Sequence, residues 1–246
     1  MKNNQSGFIL VILIVSFALH LTGCKEKVTD PAIIATDSIT DMDGNVYKTV
    51  KIGSKWWMAE NLKVKRYLNG DSVTYIPRTS PQVEWSNLST GAYCYLDEKF
   101  GLLYNFYTIN DSRKLAPDGW HIPSDDEWKE MEISLGMSPE DTGFLNWRGS
   151  DQGNKLKIVG GNTMFWMTSS DIYNIFGNDE SGFTALGGAC RLFNGQWGDI
   201  THTAYWWTSS LNGNEAWYRG LDYDKPNIFR YFGPKNYGFS IRCVKD

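Results

Sequence analysis

The sequence has little of what most catalytic and metal sites are built from. Its 246 residues include only three histidines and four cysteines. No Cys-x-x-Cys pair with the spacing of a zinc site occurs, and no Gly-x-Ser-x-Gly pentapeptide marks a hydrolase nucleophile. We therefore expect no obligatory metal, no other cofactor and no catalysis.

Long runs of basic residues are also missing. The chain has 24 Lys+Arg against 28 Asp+Glu, a formal net charge of −4, which argues against a nucleic-acid partner. Aromatic residues, in contrast, are abundant, with 11 Trp, 13 Tyr and 12 Phe. A chain so rich in aromatic side chains has ample material for a core, and we expect it to fold.

The N-terminus has the pattern of a bacterial lipoprotein signal. Phe8–Leu21 is an apolar stretch of about 14 residues, shorter than the roughly 20 needed to span a bilayer. Leu21-Thr22-Gly23-Cys24 follows and resembles a lipobox, in which the cysteine carries acyl chains such as palmitate. An ordinary signal peptide or an uncleaved anchor helix is the alternative.

The chain therefore divides into three predicted segments. Residues 1–23 are a signal peptide, 24–39 a lipidated tether and 40–246 a folded domain. Lys25 follows the cysteine, where an Asp would resemble an inner-membrane retention signal. We expect a lipid anchor in the outer membrane, and exposure of the domain at the cell surface is left open.

One segment has clear helix signals. Ser124 and Glu127 form a capping box, and Trp128, Met131 and Leu135 then lie on one helical face before Gly136. Residues 138–140 (Ser-Pro-Glu) predict a second, short helix. Short apolar and aromatic runs between Gly, Asn and Asp clusters predict strands elsewhere. The pattern indicates an α+β fold, with short antiparallel strands around two helices.

The motifs of the predicted domain resemble the Fibrobacter succinogenes major paralogous domain, a family found mainly in bacterial lipoproteins and surface proteins. The resemblance covers residues 37–246 in order. Its motifs are DMDGNVYKTVKIGSKWWMAENL (41–62), GAYCYLD (91–97), GLLYNFY (101–107), PDGWHIPSDDEWKEME (117–132), SGFTALGGACR (181–191), YWWTSS (205–210), AWYR (216–219) and GFSIRCVKD (238–246).

The resemblance implies a C-type-lectin-like fold, shared with formylglycine-generating enzymes and with the variable proteins of diversity-generating retroelements. In that family a cysteine commonly precedes the Pro-x-Gly-Trp motif, but here the position is Ala116. The pairing that this cysteine would make is therefore absent. Cys94–Cys243 and Cys190–Cys243 are left as alternative disulfides.

Isolated histidines and acidic residues have plain structural interpretations. We expect His121, next to the helix cap, to pack and form hydrogen bonds, and His202 to be exposed in a polar loop. Residues 41–45 (DMDGN) resemble part of an EF-hand, but the glycine comes too early and no glutamate closes the loop. We interpret this segment as a turn.

The clearest functional signal lies in the C-terminal quarter, where aromatic side chains alternate with Asn, Asp and Arg. This mixture combines large, rigid contact area with adaptable hydrogen bonding. The relatives from diversity-generating retroelements vary their ligand-binding residues in the corresponding stretch. The predicted ligand-binding residues are Asn212, Asn214, Tyr218, Arg219, Asp222, Tyr223, Asp224, Asn227 and Arg230.

Together these features predict a lipid-anchored envelope protein that binds a glycan or a protein through loops within 194–237. An enzyme of formylglycine-generating or hydrolytic type is the alternative, and a structural envelope component is the third interpretation. The predicted partners are the membrane, through Cys24, and the unidentified ligand.

The anchor can be tested by fractionation. A Cys24→Ala variant loses the acylated thiol, so it is expected to leave the membrane fraction for the soluble fraction. Immunoblots of the two fractions, with wild type as control, make the measurement. An unchanged distribution contradicts the lipoprotein prediction.

Overall fold

The computed structural model describes residues 35–159, 166, 177–198 and 202–246. The predicted signal peptide and Cys24 lie outside the described residues, and so does the tether up to residue 34. The last part of the predicted tether is described, and its residues 36–39 belong to a strand.

The described chain is mostly β-structure. Its 14 strands, in chain order, are β1 (Thr36–Thr40), β2 (Val46–Ile52), β3 (Lys55–Met58), β4 (Thr74–Tyr75), β5 (Ala92–Cys94), β6 (Leu103–Tyr104), β7 (Trp120–His121), β8 (Asn146–Arg148), β9 (Cys190–Arg191), β10 (Trp197–Gly198), β11 (Thr203–Asn212), β12 (Glu215–Asp222), β13 (Ile228–Gly233) and β14 (Val244–Lys245).

The helices are few and short. They are α1 (Gln82–Ser86), α2 (Phe106–Ile109), α3 (Asp125–Ser134) and α4 (Gln152–Leu156). Only α3, with 10 residues, has more than five in the part of the chain that the structure describes.

The predicted α+β, C-type-lectin-like fold with strands around two helices is therefore wrong. After α3, the predicted second helix is only a 3-10 turn, Asp141–Gly143. The short aromatic runs pair with one another in sheets instead of surrounding a helical layer.

Four sheets hold the strands. Strand order is β1-β2-β3-β14-β7 in the first, β11-β12-β13-β8 in the second, β4-β5-β6 in the third and β10-β9 in the fourth. All pairs are antiparallel except β4 with β5. The second sheet contains the two longest strands, β11 and β12.

The sequence signals for α3 are confirmed. The backbone N–H of Glu127 donates to Ser124 Oγ at 3.2 Å, and that of Ser124 donates to the Glu127 carboxylate at 2.8 Å. Trp128 and Met131 are buried, so this face of the helix packs on the core. The helix ends before Gly136, which has a left-handed φ of +100°.

Aromatic rings form the centre of the core. Trp128 meets Trp57 and Phe183 edge to face, with ring centroids 5.3 and 5.8 Å apart, and Phe183 meets Trp206 in the same way at 5.8 Å. Such edge-to-face contacts add roughly 0.5–1.5 kcal/mol per pair to the gain from burial. The alternation of the C-terminal strands predicts core positions for Trp206, Trp217 and Phe239; Trp206 and Phe239 are buried, whereas Trp217 is only half-buried.

A buried ion cluster joins α3 to the second sheet. Glu132, which is completely buried, accepts hydrogen bonds from Arg219 Nε and Arg148 Nη2, each at 2.7 Å. Asp125 accepts from Arg219 Nη1 at 2.7 Å and from Arg230 Nη2 at 2.7 Å. The helix therefore supplies the carboxylates and the sheet supplies the guanidinium groups.

Loss of one carboxylate should destabilise the fold strongly. In Glu132→Ala, the buried Arg148 loses its counter-ion and Arg219 loses one of its two carboxylate partners, so we expect a loss of about 3–5 kcal/mol in the free energy of unfolding. The measurement is urea unfolding followed by tryptophan fluorescence. Glu130→Ala is the matched control, because Glu130 is exposed on the same helix, and it should stay within about 0.5 kcal/mol of wild type. Equal losses in the two variants would contradict the role of the cluster.

Candidate binding surface

The structure separates the predicted ligand-binding residues into groups that do not meet. Arg219 and Arg230 are only 1% and 5% exposed, and their guanidinium groups are committed to the ion cluster. They are not available to a ligand at the surface. Sequence reasoning placed them there because arginine beside aromatic residues is typical of binding surfaces, and a single strand does not reveal which of its faces is covered.

Apart from Tyr218, the other predicted residues lie at opposite ends of β12. Asn212 and Asn214 are exposed at the turn between β11 and β12. The segment 222–227, which contains the predicted Asp222, Tyr223, Asp224 and Asn227, connects β12 to β13 at the other end. Eight residues of extended chain separate the two groups by about 25 Å, so one small ligand does not contact both.

Tyr218 lies on the face of the second sheet that is opposite the ion cluster, and the register places other rings beside it. Tyr218 is opposite Tyr231, and Gly220 is opposite both Tyr205 and Phe229. Phe229 is opposite Trp147 on β8. Because side chains alternate along strands, all five rings point away from the ion cluster. The rings of Trp147, Tyr205, Tyr218, Phe229 and Tyr231 are called the aromatic face below.

The rings of the aromatic face contact one another across four strands. Ring centroids are 5.1 Å apart for Trp147 and Phe229, 6.1 Å for Phe229 and Tyr218, and 5.8 Å for Tyr218 and Tyr205. Tyr231 extends the row beside Phe229 at 6.0 Å. All five side chains are half-buried. The result is a strip of rings held by their neighbours, each with part of its surface open.

Two glycines make room for this strip. A Cβ at Gly220 would lie 2.9 Å from the Tyr205 ring and 3.3 Å from Phe229 Cβ. A Cβ at Gly233 would lie 2.8 Å from the ring of Tyr237, which packs near the end of the strip. The rings of Tyr205 and Tyr237 therefore lie directly over the backbone of these two glycines.

Polar groups border the strip at the β8 edge. The ammonium of Lys225 lies 5.7 Å from the centroid of Trp147 and 3.3 Å from the Asp224 carboxylate. Burial raises the pKa of Asp222, whereas a hydrogen bond from Asp222 and the charge of Lys225 lower the pKa of Asp224. Two neighbouring carboxyl groups and one cation thus lie at the end of the row of rings, and the backbone N–H of Asp224 donates to Asp222 Oδ1 at 3.1 Å.

Groups that suggest catalysis have structural partners instead. His121 Nδ1 lies 2.5 Å from Asp246 Oδ1 and its Nε2 lies 2.8 Å from Glu127 Oε1, which confirms the hydrogen-bonding role expected of it. His202 is not exposed as predicted, because its half-buried ring packs edge to face on Tyr223 at 5.4 Å.

The cysteines do not form the alternative disulfides. Cys94 and Cys243 are thiols in separate buried clusters, and Cys190 is buried in a third. Burial raises the pKa of Cys94 to about 12 and also raises that of Cys243. Thiols protonated this firmly are poor nucleophiles.

The described part of the chain offers neither a metal site nor a membrane-spanning helix. Within it, no group of three or more His, Cys, Asp or Glu side chains is arranged to hold a metal ion. Nor does any described helix have the length and apolar character needed to cross a membrane.

A comparison with family models decides the family. The model of the Fibrobacter succinogenes major domain matches residues 50–245. The chain belongs to this family. The match begins in β2 and ends in β14, so the family's domain contains both α3 and the aromatic face. Searches of curated proteins and of solved structures found no match, and neither supports the expected relation to formylglycine-generating enzymes or retroelement variable proteins.

The construction of the aromatic face can be tested at Gly220. A Gly220→Ala substitution forces the Tyr205 ring away from the backbone, and we expect it to cost about 1–3 kcal/mol in the free energy of unfolding. Near-ultraviolet circular dichroism should also change. Gly188→Ala is the control, because no atom lies within 4 Å of its Cβ position, and it should be nearly neutral. An equally neutral Gly220→Ala would show that the rings do not pack as described.

Proposed function

We propose that this chain is a binding protein, without catalysis, and that the aromatic face holds a glycan. The observation that carries the proposal is the row of rings from Trp147 through Phe229 to Tyr218, which crosses neighbouring strands with centroid separations near 5–6 Å. This spacing is comparable to the length of a sugar ring, so successive rings can support successive sugar residues.

The chemistry of the strip suits a saccharide. The C–H faces of sugar rings are apolar and pack on aromatic rings, while their hydroxyls need hydrogen-bonding groups at the sides. Tyrosine hydroxyls, Asp224 and Lys225 supply such groups along the edge of the strip. An exclusively apolar protein segment would offer these groups no further hydrogen-bonding partner.

Rigidity also favours binding. Tyr218 packs against Phe239 at 4.9 Å and Tyr205 packs against Phe239 at 5.1 Å, so both rings are fixed to the core before any ligand arrives. Side chains that are already ordered lose little conformational entropy on binding. Exposed loops such as 212–214 lack this advantage, so we assign them a secondary role.

The lipid anchor completes the proposal. Acylation at Cys24 would hold the domain at the outer membrane, where glycans of the envelope or of the surroundings are the accessible polymers. The lipobox motif at residues 21–24 supports this placement.

Binding can be tested with a glycan array and the full chain in detergent micelles. Trp147→Ala and Tyr231→Ala each remove one stacking ring and should weaken binding of the retained glycan roughly two- to tenfold. Phe144→Ala is the control, because this exposed phenylalanine is not among the five rings of the aromatic face, and binding should not change.

Two outcomes would contradict the assignment. One is an array on which no glycan is retained while a protein partner is captured through the same rings. The other is a glycan whose binding is insensitive to Trp147 and Tyr231, since it must then lie elsewhere on the molecule.

A further inference from the structure

A cavity lies at the third sheet, which is separate from the sheet that carries the aromatic face. It has a volume of about 620 Å³, and its floor is formed by the buried Val73 and Leu102. The turn 43–45 and the segment 63–66 border its mouth. We call this cavity the tyrosine cleft.

Stacked tyrosines form one wall of the tyrosine cleft. The Tyr75 ring lies 5.4 Å from that of Tyr95, nearly parallel at 14°, and 5.2 Å from that of Tyr93. Tyr75 is 41% exposed, whereas Tyr93 is buried. The Tyr75 ring is thus partly open to solvent and contacts two other rings, which suits a flat apolar ligand face.

Charged side chains line the opposite side, and cations exceed carboxylates by one. Lys65 Nζ pairs with Glu98 at 2.9 Å, and Arg66 Nε pairs with Asp43 at 2.5 Å. Lys63 also lines the cleft, and no carboxylate among the described residues lies within ion-pair distance of its ammonium. Its backbone is fixed, since its N–H donates to Tyr47 Oη at 2.8 Å.

We propose that the tyrosine cleft is a second ligand site and that it binds a carboxylated sugar residue. The sugar's C–H face would pack on Tyr75, and its carboxylate would pair with Lys63. Asp43 and Glu98, already neutralised by their partners, would accept hydrogen bonds from its hydroxyls. This site does not depend on the aromatic face, which belongs to a different sheet.

Local charge favours a sugar acid over a phosphate. A phosphate carries up to two negative charges and, unlike a sugar, few hydroxyl donors at neutral pH. Two carboxylates border the cleft and would repel the extra charge, because only one cation is unmatched. A sugar acid brings a single charge together with several donors for those carboxylates.

The test is isothermal titration of the full chain, in detergent micelles, with trigalacturonate. We expect binding to wild type, a loss of about tenfold or more in Lys63→Ala, and a similar loss in Tyr75→Ala. Tyr75→Phe keeps the stacking ring and should bind within about threefold of wild type. Lys51→Ala is the matched control, since Lys51 is exposed on β2 outside the cleft, and it should bind normally.

Several results would overturn the proposal. The first is no binding of trigalacturonate to wild type, and the second is an equal loss of affinity in Lys51→Ala and Lys63→Ala. The third is binding of neutral galactotriose with the same affinity as trigalacturonate. Competition by inorganic phosphate at equal concentration would assign the site to phosphate instead. A loss in Trp147→Ala together with normal binding in Lys63→Ala would place the acidic sugar on the aromatic face, and the proposed function would then survive while the second site failed.

Discussion

The rest of the structure depends on one buried contact between unlike charges. Arg219 and Arg230 lie directly opposite each other on neighbouring strands, where like charges repel. Asp125, on α3, forms ion pairs with both guanidinium groups. Its negative charge offsets their mutual repulsion, so the two strands can pair. Burial alone would raise the pKa of Asp125, but the hydrogen bond from Arg230 and the charge of Arg219 outweigh it and hold that pKa well below its usual range. The carboxylate therefore stays charged across the physiological pH range and ties helix to sheet.

This contact also decides which side chains face solvent. With Arg219 and Arg230 turned toward α3, the alternation of the strands turns Tyr218, Phe229 and Tyr231 the other way. A shift of one residue in register would exchange the two sets, so the ion cluster and the aromatic face specify each other. Desolvating several ions is costly, and the benefit of the cluster is best understood as fixing the register and orientation of the sheet that carries the rings.

The sequence predicted features that depend on short segments, but not those that depend on pairing between strands far apart in the chain. The capping box predicted α3, and the succession of motifs predicted the family, because both signals lie within short segments. The fold class was wrong, since nothing local shows that short aromatic runs will pair into four sheets. Trp147 was missed because β8 joins β13 across about 80 residues of chain, although its position between Asn146 and Arg148 carries the alternation of a strand. The tyrosine cleft was missed for the same reason, since its rings come from β4, β5 and the segment after β5.

The central claim, that a glycan lies across the aromatic face, is tested most directly by fluorine NMR of the chain labelled with 5-fluorotryptophan. Trp147 is the tryptophan of the aromatic face, and its resonance is assigned by its loss in Trp147→Phe. On addition of the glycan retained on the array, we expect a saturable shift of the Trp147 resonance, while the resonances of the buried Trp57, Trp128 and Trp206 stay in place. A glycan that binds to the chain without shifting the Trp147 resonance would contradict it.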